Sequence, residues 1–235
     1  MAVLKPRLLH TSEKRGLAAK QYAFLETQSK KFPKLEANER NEHAVRTFLM
    51  KYWTERYAKK HAKHMASVKA LFDLRDGNVP GTFTKADDAK LQKMLRDKYY
   101  RVPQAYDLSG ACLLTAQFCY IVFDLPGEVV SNPHHTFIYD RASGVVNDLN
   151  MYCTDVLGMS NPYEYNQEYS ESAQVVARLR TWNTRLQELL VTFAEEQLAY
   201  SSRVGGKAEV IEALSNYLEK VDKGACDDDG QQDDE

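Results

Sequence analysis

The residue types and their spacing between positions 107 and 150 could support nucleophilic chemistry by a thiol. Cys112 stands near the start of an apolar run, the pair His134 and His135 opens a strand-like run, and Asp148 follows the next turn. A thiol nucleophile needs a base that takes its proton and a third group that orients the base. Cysteine, histidine and aspartate at the edges of three consecutive elements can supply these three parts.

Cys112 is predicted to lie in the first turn of a buried helix. Gly110 breaks the chain ahead of it, and the residues from Ala111 to Phe123 are apolar nearly all round. Backbone N–H groups and the positive end of the helix dipole at this position favour the thiolate, which is the reactive form. Cys119, two turns further along, is expected to be an inert thiol of the core.

The histidine pair is predicted to enter a β-strand over residues 134–140, in which alternate side chains point to opposite faces. Either His134 or His135 can therefore face the cysteine helix, while the other points away. A hairpin turn leads to a return strand, on which Asp148 and Asn150 share a face. Asp148 is a candidate to orient the imidazole, and Asn150 is a possible substitute for it.

The order and spacing of these residues resemble the core of the transglutaminase-like superfamily of thiol enzymes. The matching motifs are Gly110-Ala-Cys112 at a helix start, Asp124-Leu-Pro126-Gly at a turn, His135-Thr-Phe137 on a strand and Asp148-Leu-Asn150 at a strand end. The resemblance covers about a fifth of the chain. It implies that Cys112 is the nucleophile, His135 the general base and acid, and Asp148 the orienter, without an organic cofactor.

A further residue extends the comparison to papain-like proteases, a neighbouring group of enzymes with the same order of cysteine and histidine. Gln104, eight residues before Cys112, is similar to the glutamine that stabilises the oxyanion in those proteases. Activities in the transglutaminase-like superfamily include transglutamination, glutamine deamidation, peptide hydrolysis and de-glycosylation. The resemblance therefore implies thiol-dependent acyl transfer or hydrolysis on a protein substrate, by a glutamine deamidase, transglutaminase or protease.

The rest of the chain must form the elements that place these residues. Helical periodicity over residues 38–72, a capping box at Thr84 and Asp87, and a strong amphipathic pattern over residues 173–200 predict helices on both sides of the central stretch. Short strand-like runs occur only in the central stretch itself. We therefore expect an α+β fold that is mostly helical, with a small antiparallel sheet packed on a central buried helix, as in a transglutaminase-like core.

Composition divides the chain into three parts. Residues 1–38 are expected to form a basic N-terminal arm, residues 39–223 a single α+β domain that contains the candidate core at 107–150, and residues 224–235 an acidic disordered tail. The four cysteines are scattered and include no CxxC pair. Free thiols are therefore expected, rather than disulfides or a bound metal such as zinc.

Charge is unequally distributed between the two halves of the chain. Residues 1–100 carry 22 Lys and Arg against 11 Asp and Glu, whereas residues 101–235 carry 9 against 22. A basic half can engage nucleic acid or an acidic protein partner, so the alternative function is that of a non-catalytic helical binding protein. The same pattern also arises when the two halves attract each other, or when basic residues form the solvated face of helices.

Membrane contact and a cleaved leader are not expected. No apolar stretch reaches the length of a membrane span, and residues 1–16 lack the apolar run of a signal peptide. The sequence therefore predicts a protein that is cytoplasmic, or exported without a cleaved signal peptide. A hydrophobic content of 43% is enough for a packed core, which argues against wholesale disorder.

Overall fold

A computed structural model describes residues 23–97, 100, 104–165, 169 and 183–224. The helices are α1 (residues 23–31), α2 (Glu39–Arg75), α3 (Lys85–Arg96), α4 (Cys112–Val122), α5 (Thr154–Leu157), α6 (Asn183–Val204) and α7 (Ala208–Gly224), and the strands are β1 (Glu128–Ser131), β2 (Thr136–Asp140) and β3 (Val145–Asn147). The strands form one antiparallel sheet in the order β1-β2-β3. The prediction of a mostly helical α+β fold with a small antiparallel sheet is confirmed, whereas the transglutaminase-like core stays a prediction.

The chain divides into two compact units. The first unit contains Met1–Val45 and Gly110–Glu235, and the second contains Arg46–Ser109. The boundary falls inside α2, so each unit takes one part of that helix. The organisation of residues 39–223 as a single domain stays a prediction.

Residues 23–38, which were predicted as part of a basic arm, belong to the first unit. Leu25 of α1 is completely buried, and Phe32 packs edge-on against Tyr217 with ring centroids 4.9 Å apart. Leu25 and Phe32 are seven residues apart, a helical spacing, but apolar residues are too sparse here to predict a packed helix, so only the tertiary contacts reveal that this segment is packed. The remainder of the arm, residues 1–22, and the predicted tail from residue 225 onward lie outside the described residues.

Helix α4 lies at the centre of the first unit, where it packs against β1, β2 and α6. Phe118 of α4 meets Phe193 of α6 edge-on, with ring centroids 5.4 Å apart. Eight of the 11 residues of α4 are buried, as its apolar composition predicts. Within the part of the chain that the structure describes, no helix is both long and apolar enough to cross a bilayer.

The C-terminal end of α4 is fastened by the connection between α1 and α2. The backbone N–H of Leu35 donates to the carbonyl oxygen of Val122 at 2.9 Å. The ammonium group of Lys34 donates to the carbonyl oxygens of Ile121 at 2.8 Å and Phe123 at 3.2 Å. A cation at this end of a helix satisfies carbonyl groups that have no partner within the helix and complements the helix dipole.

The sheet consists of two successive hairpins. A loop over residues 132–135 joins β1 to β2, and a turn over residues 141–144 joins β2 to β3. Gly144, with φ of +73°, closes the second turn by donating its N–H to the carbonyl oxygen of Asp140 at 2.8 Å. Because β2 and β3 are antiparallel, the start of β2 and the end of β3 lie at the same end of the sheet.

The second unit is built on the C-terminal part of α2 together with α3. Its apolar cluster is centred on Val68, Leu71 and Leu91. The predicted capping box of α3 is confirmed, because the Thr84 hydroxyl accepts the N–H of Asp87 at 3.2 Å and the Asp87 carboxylate accepts the N–H of Thr84 at 3.0 Å. Local sequence is therefore sufficient to determine where this helix begins.

Candidate active site

The antiparallel pairing of β2 with β3 brings His135 and Asp148 together. His135 immediately precedes β2 and Asp148 immediately follows β3, at the same end of the sheet. Nε2 of His135 lies 2.9 Å from Oδ2 of Asp148, and the two side chains are 0% and 4% exposed. Because a carboxylate accepts hydrogen bonds and cannot donate them, Nε2 carries the proton of this bond.

Two further donors hold the carboxylate of Asp148. The hydroxyl of Tyr163 donates to Oδ2 at 2.9 Å, and the backbone N–H of Asn150 donates to Oδ1 at 2.9 Å. Both carboxylate oxygens are therefore engaged in this nearly fully buried position. These hydrogen bonds offset the large free-energy cost of removing a carboxylate from water.

Cys112 is the first residue of α4, as predicted, and it is a half-buried free thiol. Cys112 lies close enough to the ring of His135 to raise the pKa of that ring. Since Asp148 occupies Nε2, the ring nitrogen that remains for the thiol is Nδ1, which is buried and makes no hydrogen bond among the described residues. The thiol, the imidazole and the carboxylate are thus arranged in that order.

The turn before Cys112 is held by two features. Gly110 adopts a φ of +76°, in the left-handed region that favours glycine, and its N–H donates to Oδ2 of Asp155 at 2.7 Å. Ala111 occupies the N-cap position and supplies no side-chain acceptor to the helix. The backbone N–H groups at the start of α4 are therefore not engaged by a capping side chain.

The electrostatic surroundings favour a protonated ring at His135. Burial lowers the pKa of His135, but the hydrogen bonds and negative charges of Asp148 and Cys112 outweigh it and raise the pKa to about 9. The ring therefore carries a proton at neutral pH. A protonated imidazole can donate a proton to a departing group, so His135 can serve as a general acid at neutral pH.

The alternative site residues take other positions. His134 is exposed, while His135 turns inward and stacks on Phe137 with ring centroids 5.9 Å apart. Of the two candidate orienters, Asp148 accepts the hydrogen bond from Nε2 of His135. Asn150 instead donates its backbone N–H to the carboxylate of Asp148. Gln104 is an exposed residue of the second unit. Its role in stabilising an oxyanion stays a prediction.

Tyr163 was not identified from the sequence, because the polar, tyrosine-rich stretch around it contains no recognisable motif. Its ring lies edge-on to His135 and Phe137, with centroids 5.9 and 5.3 Å away. Burial and the negative charge of Asp148 raise the pKa of Tyr163, so its hydroxyl keeps the proton that it donates. The chain has 14 tyrosines, and neither spacing nor motif distinguishes this one from the others.

The described residues offer no evident metal site. Among them, no group of three or more His, Cys, Asp or Glu side chains is arranged to hold a metal ion. That observation covers the described residues only. The expectation of a site without metal or organic cofactor continues to rest on the sequence.

Replacement of Tyr163 tests how the Asp148 carboxylate is shared. In Tyr163→Phe, Oδ2 of Asp148 loses one of its two side-chain donors, so the carboxylate should attract the imidazolium of His135 more strongly and raise its pKa further. An NMR titration of the His135 ring measures this change. Tyr165→Phe is the matched control, because Tyr165 packs against Tyr139 instead. A His135 pKa that stays unchanged or falls in Tyr163→Phe would show that Tyr163 and His135 do not share the Asp148 carboxylate.

The raised pKa of His135 also predicts a pH-dependent contribution to stability. The pKa is about 9 in the folded protein against an ordinary value of 6.5, so the stabilisation is fully present below pH 6.5 and is lost as the pH rises through 9. Urea unfolding should show His135→Gln destabilised relative to wild type by roughly 2–3 kcal/mol more at about pH 6 than at about pH 10.

The matched control for this measurement is His134→Gln, which alters the neighbouring exposed histidine. Its difference from wild type in free energy of unfolding should stay constant over the same pH range. An equally constant difference for His135→Gln would refute the proposed interaction of the imidazolium with Asp148 and Cys112.

Comparison of the chain with protein-family models, curated proteins and solved structures finds no match. The resemblance to transglutaminase-like enzymes therefore stays a prediction from the motifs around Cys112, His135 and Asp148. The case for a function rests on the geometry and electrostatics of these residues.

Proposed function

We propose that the protein catalyses thiol-dependent acyl transfer or hydrolysis on a glutamine side chain or peptide bond of a protein substrate. The observation that carries this proposal is the buried hydrogen bond between Nε2 of His135 and the carboxylate of Asp148, with Cys112 near enough to the same ring to raise its pKa. A nucleophile next to a base, with the base oriented by a third group, is the arrangement that covalent catalysis by a thiol requires.

In the first half of the proposed reaction, Nδ1 of His135 already holds the proton of Cys112 at neutral pH, and the sulfur attacks the carbonyl carbon of the substrate as a thiolate. The bond from carbon to nitrogen then breaks, and the imidazolium delivers its proton to the departing ammonia or amine. The acyl group remains on Cys112 as a thioester. Because the pKa of His135 is about 9, the ring holds the proton for this step at neutral pH.

In the second half, water or a primary amine attacks the thioester carbonyl while His135 takes a proton from the attacking group. The bond from carbon to sulfur breaks, and His135 keeps the proton beside the Cys112 thiolate, which restores the starting state. Attack by water gives deamidation or peptide hydrolysis, whereas attack by an amine gives a new amide. Asp148 touches only the imidazole in this sequence, so its role is to keep Nε2 protonated and Nδ1 directed at the thiol.

The alternative proposal is binding of nucleic acid or an acidic protein by the basic residues of the segment 1–100. Lys59 and Lys63 are exposed and lie four residues apart on α2, so they can present two positive charges on one helix face. Binding that weakens with salt and is unaffected by Cys112→Ala would favour this alternative.

Selective alkylation tests the reactive thiol directly. At low iodoacetamide concentration and near-neutral pH, Cys112 should be labelled before Cys119 and Cys153, which are only 5% and 2% exposed. Exposure alone could produce this order, so the decisive measurement is the dependence on His135. We expect His135→Gln to slow alkylation of Cys112 roughly 10- to 100-fold, because the imidazolium that favours the thiolate is lost.

His134→Gln is the control for the alkylation experiment and should leave the rate at the wild-type value. Equal alkylation rates of Cys112 in wild type and His135→Gln, measured by peptide mass spectrometry, would refute the proposed thiol–imidazole pair.

Two activity assays separate acyl transfer from hydrolysis. Transfer should incorporate a fluorescent primary amine into casein, whereas hydrolysis of glutamine side chains should release ammonia when no amine is added. Loss of both activities in Cys112→Ala is expected.

A further inference from the structure

Asn132 is a buried residue in the loop between β1 and β2, with 6% of its surface exposed. Its Oδ1 accepts hydrogen bonds from the backbone N–H of His134 at 2.9 Å and of His135 at 2.7 Å. Its Nδ2 donates to the carbonyl oxygens of Pro162 at 2.9 Å and Glu164 at 3.1 Å. One side-chain amide therefore joins two segments that are about 30 residues apart in sequence.

The two segments joined by Asn132 carry the two side chains that meet on Asp148. The N–H of His135 is itself one of the groups bound, and the two bound carbonyl groups flank Tyr163. The ring of His135 and the hydroxyl of Tyr163 each lie 2.9 Å from the same oxygen, Oδ2 of Asp148. The side-chain amide of Asn132 thus holds the backbone beside both donors, His135 and Tyr163.

We propose that Asn132 is a positioning residue, which holds the backbone of His135 and of the Tyr163 segment so that both side chains reach Oδ2 of Asp148 while Nδ1 of His135 is left for Cys112. This inference deepens the proposed thiol chemistry and rests on it. It predicts that Asn132 acts on the reaction only through His135 and Tyr163, without touching the substrate.

Only an amide of this length meets the requirement. The site needs an acceptor on one side for two N–H groups and a donor on the other side for two carbonyl oxygens. Aspartate has no donor, alanine has neither function, and serine is long enough only for the local bonds to the following N–H groups. Because all four bonds go to backbone atoms, the side chains at positions 134 and 164 are free of this constraint and are exposed.

The first test is Asn132→Ala, read by an NMR titration of the His135 ring and by the alkylation rate of Cys112. Loss of the anchor should displace the imidazole from Asp148, so the pKa of His135 should fall from about 9 to below about 8. Alkylation of Cys112 should slow roughly 10- to 100-fold, as in His135→Gln. A purely structural role would lower stability and leave both readouts at their wild-type values.

Thr136→Val is the matched control, because it lies in the same hairpin and removes a buried hydrogen bond of 2.8 Å to Ser131. It should reduce the free energy of unfolding without changing the His135 titration. If Asn132→Ala and Thr136→Val leave the His135 titration equally unchanged, the positioning role is wrong.

Asn132→Ser provides a second variant in case Asn132→Ala folds poorly. Serine can still accept from the local N–H groups but cannot reach Pro162 or Glu164, so only the Tyr163 segment should be released. The His135 titration should then match that of Tyr163→Phe, and combining the two substitutions should add no further change. Additive changes in the double variant would show that Asn132 does not act through Tyr163.

The NMR readout separates this inference from the proposed function. A wild-type Cys112 that is no more reactive than an ordinary thiol would refute the proposed chemistry, whereas the His135 titration would still report on the anchor. Conversely, fast alkylation of Cys112 in wild type with an unchanged His135 titration in Asn132→Ala would leave the chemistry intact and refute the role of Asn132.

Discussion

The hydrogen bond between the buried Asp148 carboxylate and His135 is the interaction on which the rest of the candidate site depends. A carboxylate that is nearly inaccessible to water needs several donors, and the backbone of Asn150, the hydroxyl of Tyr163 and the ring of His135 provide them. Each donor comes from a different part of the chain. The carboxylate therefore fixes the end of β3, the start of β2 and the segment around residue 163 relative to one another.

Burying such a pair is not an efficient way to stabilise a protein, because the cost of removing both charges from water is large. An apolar pair of similar volume would serve the packing of this small sheet at least as well. What favours chemistry over a structural role is the other side of the ring: Nδ1 of His135 makes no hydrogen bond among the described residues, and the free thiol of Cys112 is near enough to raise the pKa of the same ring. Strongly shifted titration next to a nucleophile is typical of functional sites.

The fold holds the two sides of this site by different means. On the thiol side, α4 is anchored at its far end by Lys34 and Leu35 and is packed along its length, so its first residue is presented at the end of a rigid helix. On the imidazole side, hairpin geometry and the Asn132 amide set the position of His135. Placing reactive groups at the ends of regular elements gives more exact geometry than placing them within long loops.

The amino-acid sequence by itself determined what depends on local interactions. Apolar composition predicted the buried α4 helix with Cys112 at its start, turn residues predicted the hairpin between β2 and β3, and the spacing of Thr84 and Asp87 predicted a capping box, because periodicity, turns and caps involve residues close in sequence. Strand alternation left His134 and His135 open, and the resemblance to transglutaminase-like enzymes implied His135. The tertiary structure shows that His135 meets Asp148, and it alone decided that residues 23–38 pack into the first unit.

Tyr163 and Asn132 could not have been found from sequence for the same physical reason. Their contacts join segments 15 and about 30 residues apart, and a single tyrosine or asparagine in a loop carries no periodic signal. Whether such a residue meets a carboxylate or solvent depends on strand register and on the path of the connecting loops. Those features arise only when the whole first unit packs around α4. The sequence therefore predicted Cys112, His135 and Asp148, and the tertiary structure added Tyr163 and Asn132, which support them.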